Sequence, residues 1–276
     1  MIRSHLKWAV GALVRLAYGR REVVRRGPGG VPLHFRPAEY ARLLRGAESS
    51  LVEHRRAWQP LLRPDEVIFD IGANIGLTTQ LFFDLLAGRC QVVAFEPIPG
   101  NVAFLRRNCA PFGDRVRVVD CAVGDEDGQV TFVENPHHPA LSRQHDRVSK
   151  SARAALYWSE QVELRVPILR LDTYLDQNPR PVPSFLKIDV EGAGAAVIRG
   201  AARLIARARP VISIEFHWPD EQQGVTGPLA DLGYRSITFD ADGRPRVGDP
   251  RDCQREGHFV HPEDARWEAL TRRAGS

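Results

Sequence analysis

Val67-Ile68-Phe69-Asp70-Ile71-Gly72-Ala73-Asn74-Ile75-Gly76-Leu77-Thr78 is the stretch that decides the fold. It opens with an apolar run that carries an acid near its end, which predicts a buried strand. Two glycines follow and indicate a tight turn. Leu77, Leu81 and Leu85 then fall on one face of a helix. The stretch therefore predicts a strand, a tight turn and a helix in direct succession.

A second apolar run begins at Val92, one helix later, and ends in Phe95-Glu96-Pro97. In doubly wound folds an acid about 20 residues beyond the glycine turn contacts ribose hydroxyls at the carboxyl edge of the sheet. Glu96 stands 20 residues after Gly76. We therefore expect its carboxylate to accept hydrogen bonds from the two hydroxyls of a nucleoside ribose.

Strands and helices alternate on both sides of this pair. Strands are expected at 67–71, 91–95, 116–120, 185–189, 211–216, 234–239 and 257–260, and helices at 77–87, 99–109 and 193–208. The alternation predicts an α/β fold with a doubly wound, mostly parallel sheet of seven strands and helices on both faces. The third strand ends at Asp120, a candidate acceptor for an adenine amino group. A single acid after a strand is often a turn residue, but acids at three successive strand ends favour a nucleoside site.

The glycine spacing narrows the choice of cofactor. A dinucleotide fingerprint would read G-x-G-x-x-G, but Asn74 and Leu77 occupy two of its positions, which disfavours nicotinamide cofactors. The D-x-G-x-N-x-G pattern instead resembles the first motif of class I S-adenosylmethionine-dependent methyltransferases. The resemblance implies that the helix N-terminus receives the methionine carboxylate and that Asp70 holds the ammonium group, directly or through water. The cofactor-binding candidates are Asp70, Gly72, Ala73, Asn74, Gly76, Thr78, Glu96, Pro97, Asp120 and Ala122.

Charged residues occupy alternate positions of a later strand, LKIDVEG at 186–192. Lys187, Asp189 and Glu191 would point the same way if the extended backbone continues to Glu191. A lysine between carboxylates in a core strand is costly unless it is paired or takes part in the chemistry. A structural ion pair and a catalytic role both remain open.

Four elements together resemble the FkbM-type methyltransferases: DIGANIG at 70–76, FEP at 95–97, LDT at 171–173 and KIDVEG at 187–192. The resemblance covers about residues 64–218. It implies a Rossmann-like class I fold and transfer of a methyl group from S-adenosyl-L-methionine, usually to a hydroxyl of a sugar or polyketide-like natural product. One position departs from the pattern, because Gly194 stands where the family usually has Glu. That departure leaves the acceptor and the level of activity open.

Methyl transfer to oxygen needs an acceptor held close to the methyl group and a residue that removes the acceptor's proton. The catalytic candidates are Asp189 and Glu191 first, with Lys187 setting their charge state. His217, in the Ile214-Glu215-Phe216-His217-Trp218 run, has a suitable pKa but could be a structural donor. Two acids could instead hold a divalent cation, but no further ligand is evident, so no metal is expected.

The first 63 residues are basic and differ from the rest of the chain. They hold 13 Lys and Arg against 4 Asp and Glu, although the whole chain has a formal net charge of only +4. An apolar stripe from Ile2 to Ala17 predicts an amphipathic helix, which either lies on a membrane surface or packs on the core. The four cysteines stand singly and are expected to be reduced. A cytoplasmic or membrane-peripheral location is the resulting expectation.

The expected organisation is a basic helical cap over residues 1–63, a methyltransferase domain over 64–270 and a tail over 271–276. The cap includes a second helical stretch from Pro37 to Trp58. Extended segments at 130–133 and 162–169 flank a polar, lid-like insertion at 134–161.

The expected function is O-methylation of a sugar, glycolipid or polyketide-like hydroxyl, with a small-molecule or glycan acceptor as partner. Two alternatives are a catalytically weak binding protein, favoured by Gly194, and a nucleic-acid methyltransferase reached through the basic segment. Nucleic acid is the less favoured partner because the chain lacks the base-methylation motifs and has few aromatic residues outside the core.

Overall fold

The computed structural model describes residues 14, 16–19, 21–134, 143–144, 162–240 and 242–274. In chain order the strands are β1 Val23–Arg26, β2 Pro32–Phe35, β3 Glu66–Ile71, β4 Cys90–Phe95, β5 Val116–Val119, β6 Ala122–Val123, β7 Gly128–Glu134, β8 Arg143–Gln144, β9 Val162–Leu169, β10 Phe185–Ile188, β11 Val211–Glu215, β12 Arg235–Phe239, β13 Pro245–Gly248 and β14 Glu256–Val260. The helices are α1 Val52–Trp58, α2 Leu77–Leu85, α3 Pro99–Cys109, α4 Leu171–Gln177, α5 Gly194–Gly200, α6 Ala202–Ala208, α7 Pro219–Asp231 and α8 Trp267–Ala274. None of the helices so described is long and apolar enough to cross a membrane.

The central sheet has eight strands within the described chain, in the order β5-β4-β3-β10-β11-β14-β12-β13. The first five run parallel, whereas β14, β12 and β13 each pair antiparallel with their neighbours. The seven expected strands are therefore present, and β13 is an eighth at the edge. Its short PRVG sequence opens with proline, which suits an edge strand but gives no alternating pattern to detect.

A second sheet lies beside the first, with strand order β6-β9-β7-β8. Strands β7 and β9 pair antiparallel from Gly128↔Ile168 to Glu134↔Val162, as the two extended segments predicted. Most of the lid-like insertion at 134–161 lies outside the described residues. Phe132 and Ile168 of this sheet reach the wall of a cavity at the edge of the central sheet.

The segment before the central sheet is less helical than its sequence predicts. The continuous helix expected from Pro37 to Trp58 is wrong, because the structure has two short 3₁₀ turns, Ala41–Arg45 and Glu48–Ser50, before α1. Gly46, at a φ of 115°, ends the first of these turns and breaks the helical spacing. Ahead of them, β1 and β2 form an antiparallel hairpin.

Two buried amides hold this hairpin on the core. Asn108 accepts from His34 N (2.7 Å) and donates to the carbonyls of His34 (3.0 Å) and Ile75 (2.7 Å). Gln80 donates to the carbonyl of Pro32 at 3.0 Å. Because both amides belong to helices of the central domain, backbone groups of the hairpin are satisfied by residues far away in the chain.

Helix α1 places Trp58 inside the molecule. The indole is 1% exposed, stacks on Phe82 at 4.9 Å between ring centroids and donates to Ser213 Oγ at 2.8 Å. Residues from the expected cap thus complete the core under the sheet. All four cysteines, Cys90, Cys109, Cys121 and Cys253, are buried and free, in agreement with the expectation of reduced thiols.

Candidate active site

The glycine turn after β3 lies against the end of β10. Gly72 has a φ of 77°, and a Cβ on it would overlap the backbone carbonyl oxygen of Asp189. Gly76 has a φ of 87°, and a Cβ there would come within 2.9 Å of Leu105. Only glycine adopts these conformations without strain and tolerates the close approach. The turn is thereby fixed close to the residues that end the neighbouring strand.

Asp70 lies beneath this turn and is fully buried. Its carboxylate accepts from the hydroxyls of Thr78 (2.9 Å) and Thr79 (2.7 Å) and forms an ion pair with Lys187 Nζ at 3.0 Å. Asp70 lines neither of the two cavities that adjoin the turn, so its contact with a methionine ammonium, directly or through water, stays a prediction. Asp70 orients Thr78 and Lys187, both of which face a cavity.

Glu96 directly follows β4 and faces the same turn. Its carboxylate accepts from the backbone N–H groups of Asn74 (3.0 Å) and Ile98 (3.0 Å) and from the side chain of Asn101 (3.2 Å). Burial raises the pKa of Glu96 to about 7, although these three donors act in the opposite direction. The Tyr40 hydroxyl donates to Asn74 Oδ1 at 2.6 Å, which connects the N-terminal segment to the turn.

A first cavity opens over Glu96. Its lining combines the turn, the ends of β4 and β5 and the second sheet, and includes Gly72, Asn74, Glu96, Pro97, Cys121, Ala122, Phe132, Ile168, Asp189 and Glu191. An apolar wall with a carboxylate at one end suits a nucleoside, whose base stacks on apolar groups and whose ribose offers two donors. Five of the ten predicted cofactor residues meet here: Gly72, Asn74, Glu96, Pro97 and Ala122.

Asp120 is not among the residues that line this cavity. Its side chain is 45% exposed and pairs with Arg106 at 2.7 Å. The next two residues, Cys121 and Ala122, turn inward and form the wall. The segment after β5 thus reaches the cavity through Cys121 and Ala122, whereas Asp120, the predicted acceptor for an adenine amino group, lies outside the cavity and is exposed.

A second, more polar cavity adjoins the first. It shares Gly72, Asn74, Asp189 and Glu191 with the first, and adds Tyr40, Arg42, Ser50, His54, Ala73, Thr78, Lys187, Glu215 and His217. Asp189 and Glu191 therefore lie where the two cavities meet. Residues 40–54 of the N-terminal segment form the outer wall.

Asp189, Glu191, Lys187 and His217, the four predicted catalytic residues, come together at this junction. His217 Nε2 lies 3.2 Å from Asp189 Oδ1, and its Nδ1 lies 3.6 Å from Glu191 Oε2. Lys187 Nζ lies 3.7 Å from Asp189 Oδ2 and donates to the carbonyl of Gly72 at 2.8 Å. β10 ends before Asp189 and Glu191 lies in a turn, so the extended backbone that the alternation required does not continue to Glu191. Lys187, Asp189 and Glu191 nevertheless all line the second cavity.

The electrostatics of this cluster favour one proton acceptor. Burial lowers the pKa of His217, but its hydrogen bond to Asp189 and the charges of Glu191 and Glu215 outweigh burial and raise the pKa to about 9. Burial acts to raise the pKa of Asp189, yet Lys187 and His217 hold it far below its ordinary value. Asp189 is therefore a weak base, and neutral His217 is a strong one.

Residues 70–259 match the model of the methyltransferase FkbM domain, which is more than half of the chain. This chain belongs to the FkbM methyltransferase family. It is accordingly an S-adenosylmethionine-dependent methyltransferase, and the family confirms the cofactor expected from the glycine turn.

Two relatives of the FkbM family illustrate the extent of the similarity. The chain is 30% identical over 189 residues to the 2-O-methyltransferase NoeI of Sinorhizobium fredii, a match that covers 65% of this chain and 75% of the relative. It is 32% identical over 158 residues to the 31-O-demethyl-FK506 methyltransferase FkbM of Streptomyces tacrolimicus, covering 50% of this chain and 60% of the relative. The crystal structure of methyltransferase FkbM from Methylobacillus flagellatus KT superposes with a TM-score of 0.50 at 19% identity, covering 73% of this chain and 45% of that one. That structure shows the shared fold.

Tyr40, His54 and Asn101 belong to this FkbM-family site but are not among the residues that the sequence predicts. Tyr40 and His54 precede every motif, and they reach the second cavity only because the N-terminal segment folds back over the turn. Asn101 lies on α3, five residues after Glu96. The FEP element gave a positional signal for Asn101, because the following helix begins beside Glu96.

Asp189, Glu215 and His217 also form a set of potential metal ligands, with one ligand atom from each lying within 4.8 Å of the others. Two carboxylates and an imidazole suit a divalent transition metal or Mg²⁺. A protonated His217 does not bind metal, so the cation and the proton would compete for this histidine.

Proposed function

We propose that this chain transfers the methyl group of S-adenosylmethionine to a hydroxyl of a polar, carbohydrate-containing acceptor, with His217 as the proton acceptor. The observation that carries the proposal is the junction of the two cavities. The adenosine side, at Glu96, and the polar side, at His217, meet at Asp189 and Glu191. A methyl donor bound in the first cavity would present its reactive end to a hydroxyl bound in the second.

Each residue of the site has a defined part in this proposal. Glu96 would accept from the ribose hydroxyls, and the apolar wall at Ala122 would hold the adenine. S-adenosylmethionine supplies an electrophilic methyl group on a positively charged sulfur. The carboxylates of Asp189 and Glu191 would attract that positive charge and so help to hold the methyl donor at the junction of the two cavities.

During transfer the acceptor oxygen forms a bond to the methyl carbon while the carbon–sulfur bond breaks and its electron pair stays on sulfur. The hydroxyl proton passes to Nδ1 of the neutral His217 ring, while Nε2 stays hydrogen-bonded to Asp189, and Glu191 lies 3.6 Å from Nδ1. Because the pKa of His217 is about 9, this neutral form becomes abundant only as the pH rises toward 9. The imidazolium that forms is stabilised by the same carboxylates. Lys187 keeps Asp189 ionised, so that Asp189 can accept from the histidine.

The lining of the second cavity supports a polyhydroxylated acceptor. Arg42, Ser50, His54 and Glu215 offer donors and acceptors around its wall, and Leu43 and Leu51 add apolar contacts. Such a mixture suits a sugar ring, which has hydroxyls at its edge and an apolar face. The NoeI relative is named a 2-O-methyltransferase. A polyketide-like acceptor, as in the second relative, would need a more apolar wall.

The proposal is tested by incubating the full chain with methyl-labelled S-adenosylmethionine and either a glycan and glycolipid extract or a polyketide-like macrolide library. We expect label in the carbohydrate fraction and a mass gain of one methylene group in its products. The His217→Gln variant should bind S-adenosylmethionine with unchanged affinity by calorimetry and lose nearly all transfer. Label in the macrolides alone would overturn the acceptor class.

A chelator distinguishes the two roles open to His217. If His217 is the proton acceptor, transfer by the wild type is unchanged after EDTA treatment and dialysis. Loss of transfer on EDTA, with recovery on addition of Mg²⁺ or Mn²⁺ alone, would instead assign Asp189, Glu215 and His217 to a cation.

A further inference from the structure

The catalytic cluster is assembled from two separate connections of the sheet. Asp189 and Glu191 lie in the connection from β10 to α5, whereas His217 lies in the connection from β11 to α7. Parallel strands hold only the starts of these connections at a fixed spacing. Hydrogen bonding between His217 and Asp189 therefore needs something that ties the two connections together beyond the strand ends.

Glu221 provides this tie. It lies in the first turn of α7, is 4% exposed, and has no part in lining either cavity. One carboxylate oxygen, Oε1, accepts from Gly194 N at 2.7 Å, and the other, Oε2, accepts from His217 N at 2.9 Å. A single buried carboxylate thus bonds the backbone at the first residue of α5, where the connection from β10 ends, and the backbone of the connection from β11 to α7. Hydrogen bonds that involve a charged group are stronger than neutral ones.

Two glycines allow the two connections to approach each other. A Cβ on Gly194 would lie 2.7 Å from Glu221 Oε1 and 2.7 Å from Ile214 Cδ1. A Cβ on Gly192 would lie 2.8 Å from Trp218 Cδ1. Any side chain at position 194 would therefore occupy the place of the Glu221 carboxylate or force it away. The absence of a carboxylate at position 194 is matched in space by the carboxylate of Glu221.

We propose that Glu221 is a positioning residue, which holds His217 at hydrogen-bonding distance from Asp189 and at ion-pair distance from Glu191, and that Gly194 is required because it leaves room for Glu221. This inference rests on the proposed function for its catalytic meaning. The geometry it invokes, however, can be measured without any acceptor. The carboxylate that the family usually has at position 194 is then replaced in this chain by the carboxylate of Glu221 on α7.

The test uses the full-length protein, freed of metal by EDTA treatment and dialysis and labelled with ¹³C-histidine, with the His217 ring signal assigned by its loss in His217→Gln. In the wild type this ring should titrate near pH 9, where Asp189 and Glu191 stabilise its charged form. In Gly194→Ala we expect its pKa to fall by about one unit, a tenfold loss of proton affinity, because His217 moves away from its two partners. This variant retains the charge of Glu221, so the shift reports position alone.

Glu221→Gln should lower the pKa of His217 in the same direction, because its amide nitrogen cannot accept one of the two backbone N–H groups. The double variant should show no more than the larger single effect, since both changes break one contact. Gly227→Ala is the matched control. It adds the same methyl group in α7, at a position with nothing within 4 Å of the new Cβ, and should leave the titration unchanged.

Thermal unfolding separates this role from a merely structural one. A structural role would lower the melting temperature of Gly194→Ala and Glu221→Gln while the His217 ring of the folded protein still titrates near pH 9. That outcome would overturn the inference. Failure of the proposed function would appear elsewhere, as an absence of labelled product from the wild type with the His217 titration intact.

Discussion

Lys187 keeps a positive charge inside the sheet because three oxygen atoms surround its ammonium group. These are Asp70 Oδ1 at 3.0 Å, Gly72 O at 2.8 Å and Asp189 Oδ2 at 3.7 Å. Burial alone would lower the pKa of Lys187, but the charges of Asp70 and Asp189 outweigh it and raise the pKa. The lysine therefore joins the glycine turn to the catalytic cluster through one fixed charge.

Glu96 is the residue at which cofactor binding should depend on pH. Burial raises its pKa to about 7, so the carboxyl is increasingly protonated as the pH falls below that value. A protonated carboxyl offers fewer acceptors to ribose hydroxyls. We expect the affinity for S-adenosylmethionine, measured by calorimetry, to fall by up to about tenfold for each pH unit below 7.

The Glu96→Gln variant is the control for this titration. At pH 8 this variant should bind S-adenosylmethionine more weakly than the wild type does. Between pH 5.5 and pH 8 its affinity should change little and should stay close to the affinity of the wild type at pH 5.5. An affinity of Glu96→Gln that equals the wild type's at pH 8 would refute the ribose contact.

The glycine turn between β3 and α2 is the element on which the site is built. Gly72 has a φ of 77°, and its lack of a side chain lets the turn contact the backbone of Asp189. Gly72→Ala should destabilise the protein by about 2–4 kcal/mol, from backbone strain together with displacement of the end of β10. Thermal unfolding gives the loss of stability, and calorimetry should show loss of S-adenosylmethionine binding.

Gly100→Ala is the matched control for the turn. Gly100 has an ordinary φ and nothing within 4 Å of an added Cβ, and it lies in the first turn of α3. Alanine there should leave stability unchanged or raise it by up to about 1 kcal/mol. Equal losses of stability in Gly72→Ala and Gly100→Ala would contradict a specific requirement for glycine at position 72.

Elements with local signals could be predicted, and those made by distant contacts could not. β3, β4, β10 and β11 are apolar runs that are buried in the sheet, so their composition alone indicates them. The β1–β2 hairpin is only four residues on each side, and amides from α2 and α3 hold it in place. No pattern within residues 23–35 shows those partners.

The same distinction holds within the candidate site. Residues at strand ends, such as Glu96, Lys187 and Asp189, could be predicted because the topology of a doubly wound sheet brings strand ends together. The partners of Asp70 and the outward direction of Asp120 depend on individual side-chain contacts. Glu221 lies on a helix with no motif, and only the close approach at Gly194 shows its role.

At the scale of the whole molecule, the N-terminal segment and the central domain share their core. Trp58 packs on Phe82 and bonds Ser213, and Tyr40 bonds the glycine turn. At the other end, Arg266 pairs with Glu66 at 2.6 Å in a buried contact and donates to the carbonyl of Leu61 at 2.8 Å. The proposed boundary between residues 63 and 64 is therefore crossed by buried contacts on both sides.

Trp58→Ala tests whether the boundary divides two folding units. If the segment and the domain unfold together, the variant should lose about 3–5 kcal/mol in a single transition, measured by chemical denaturation. Val52→Ala, on the same helix at a side chain that is 54% exposed, should change stability by less than about 0.5 kcal/mol. An unchanged main transition in Trp58→Ala would support the separate cap of residues 1–63.

The four buried cysteine thiols can serve as probes of local opening of the protein. Burial raises the pKa values of Cys90, Cys109 and Cys121 to about 12, so at neutral pH almost no reactive thiolate is present in the closed protein. Alkylation of each thiol must then wait for its surroundings to open. Cys121 forms part of the first cavity's wall, whereas Cys253 lies near β14. The ratio of their labelling rates measures how often the cofactor cavity opens relative to the rest of the molecule.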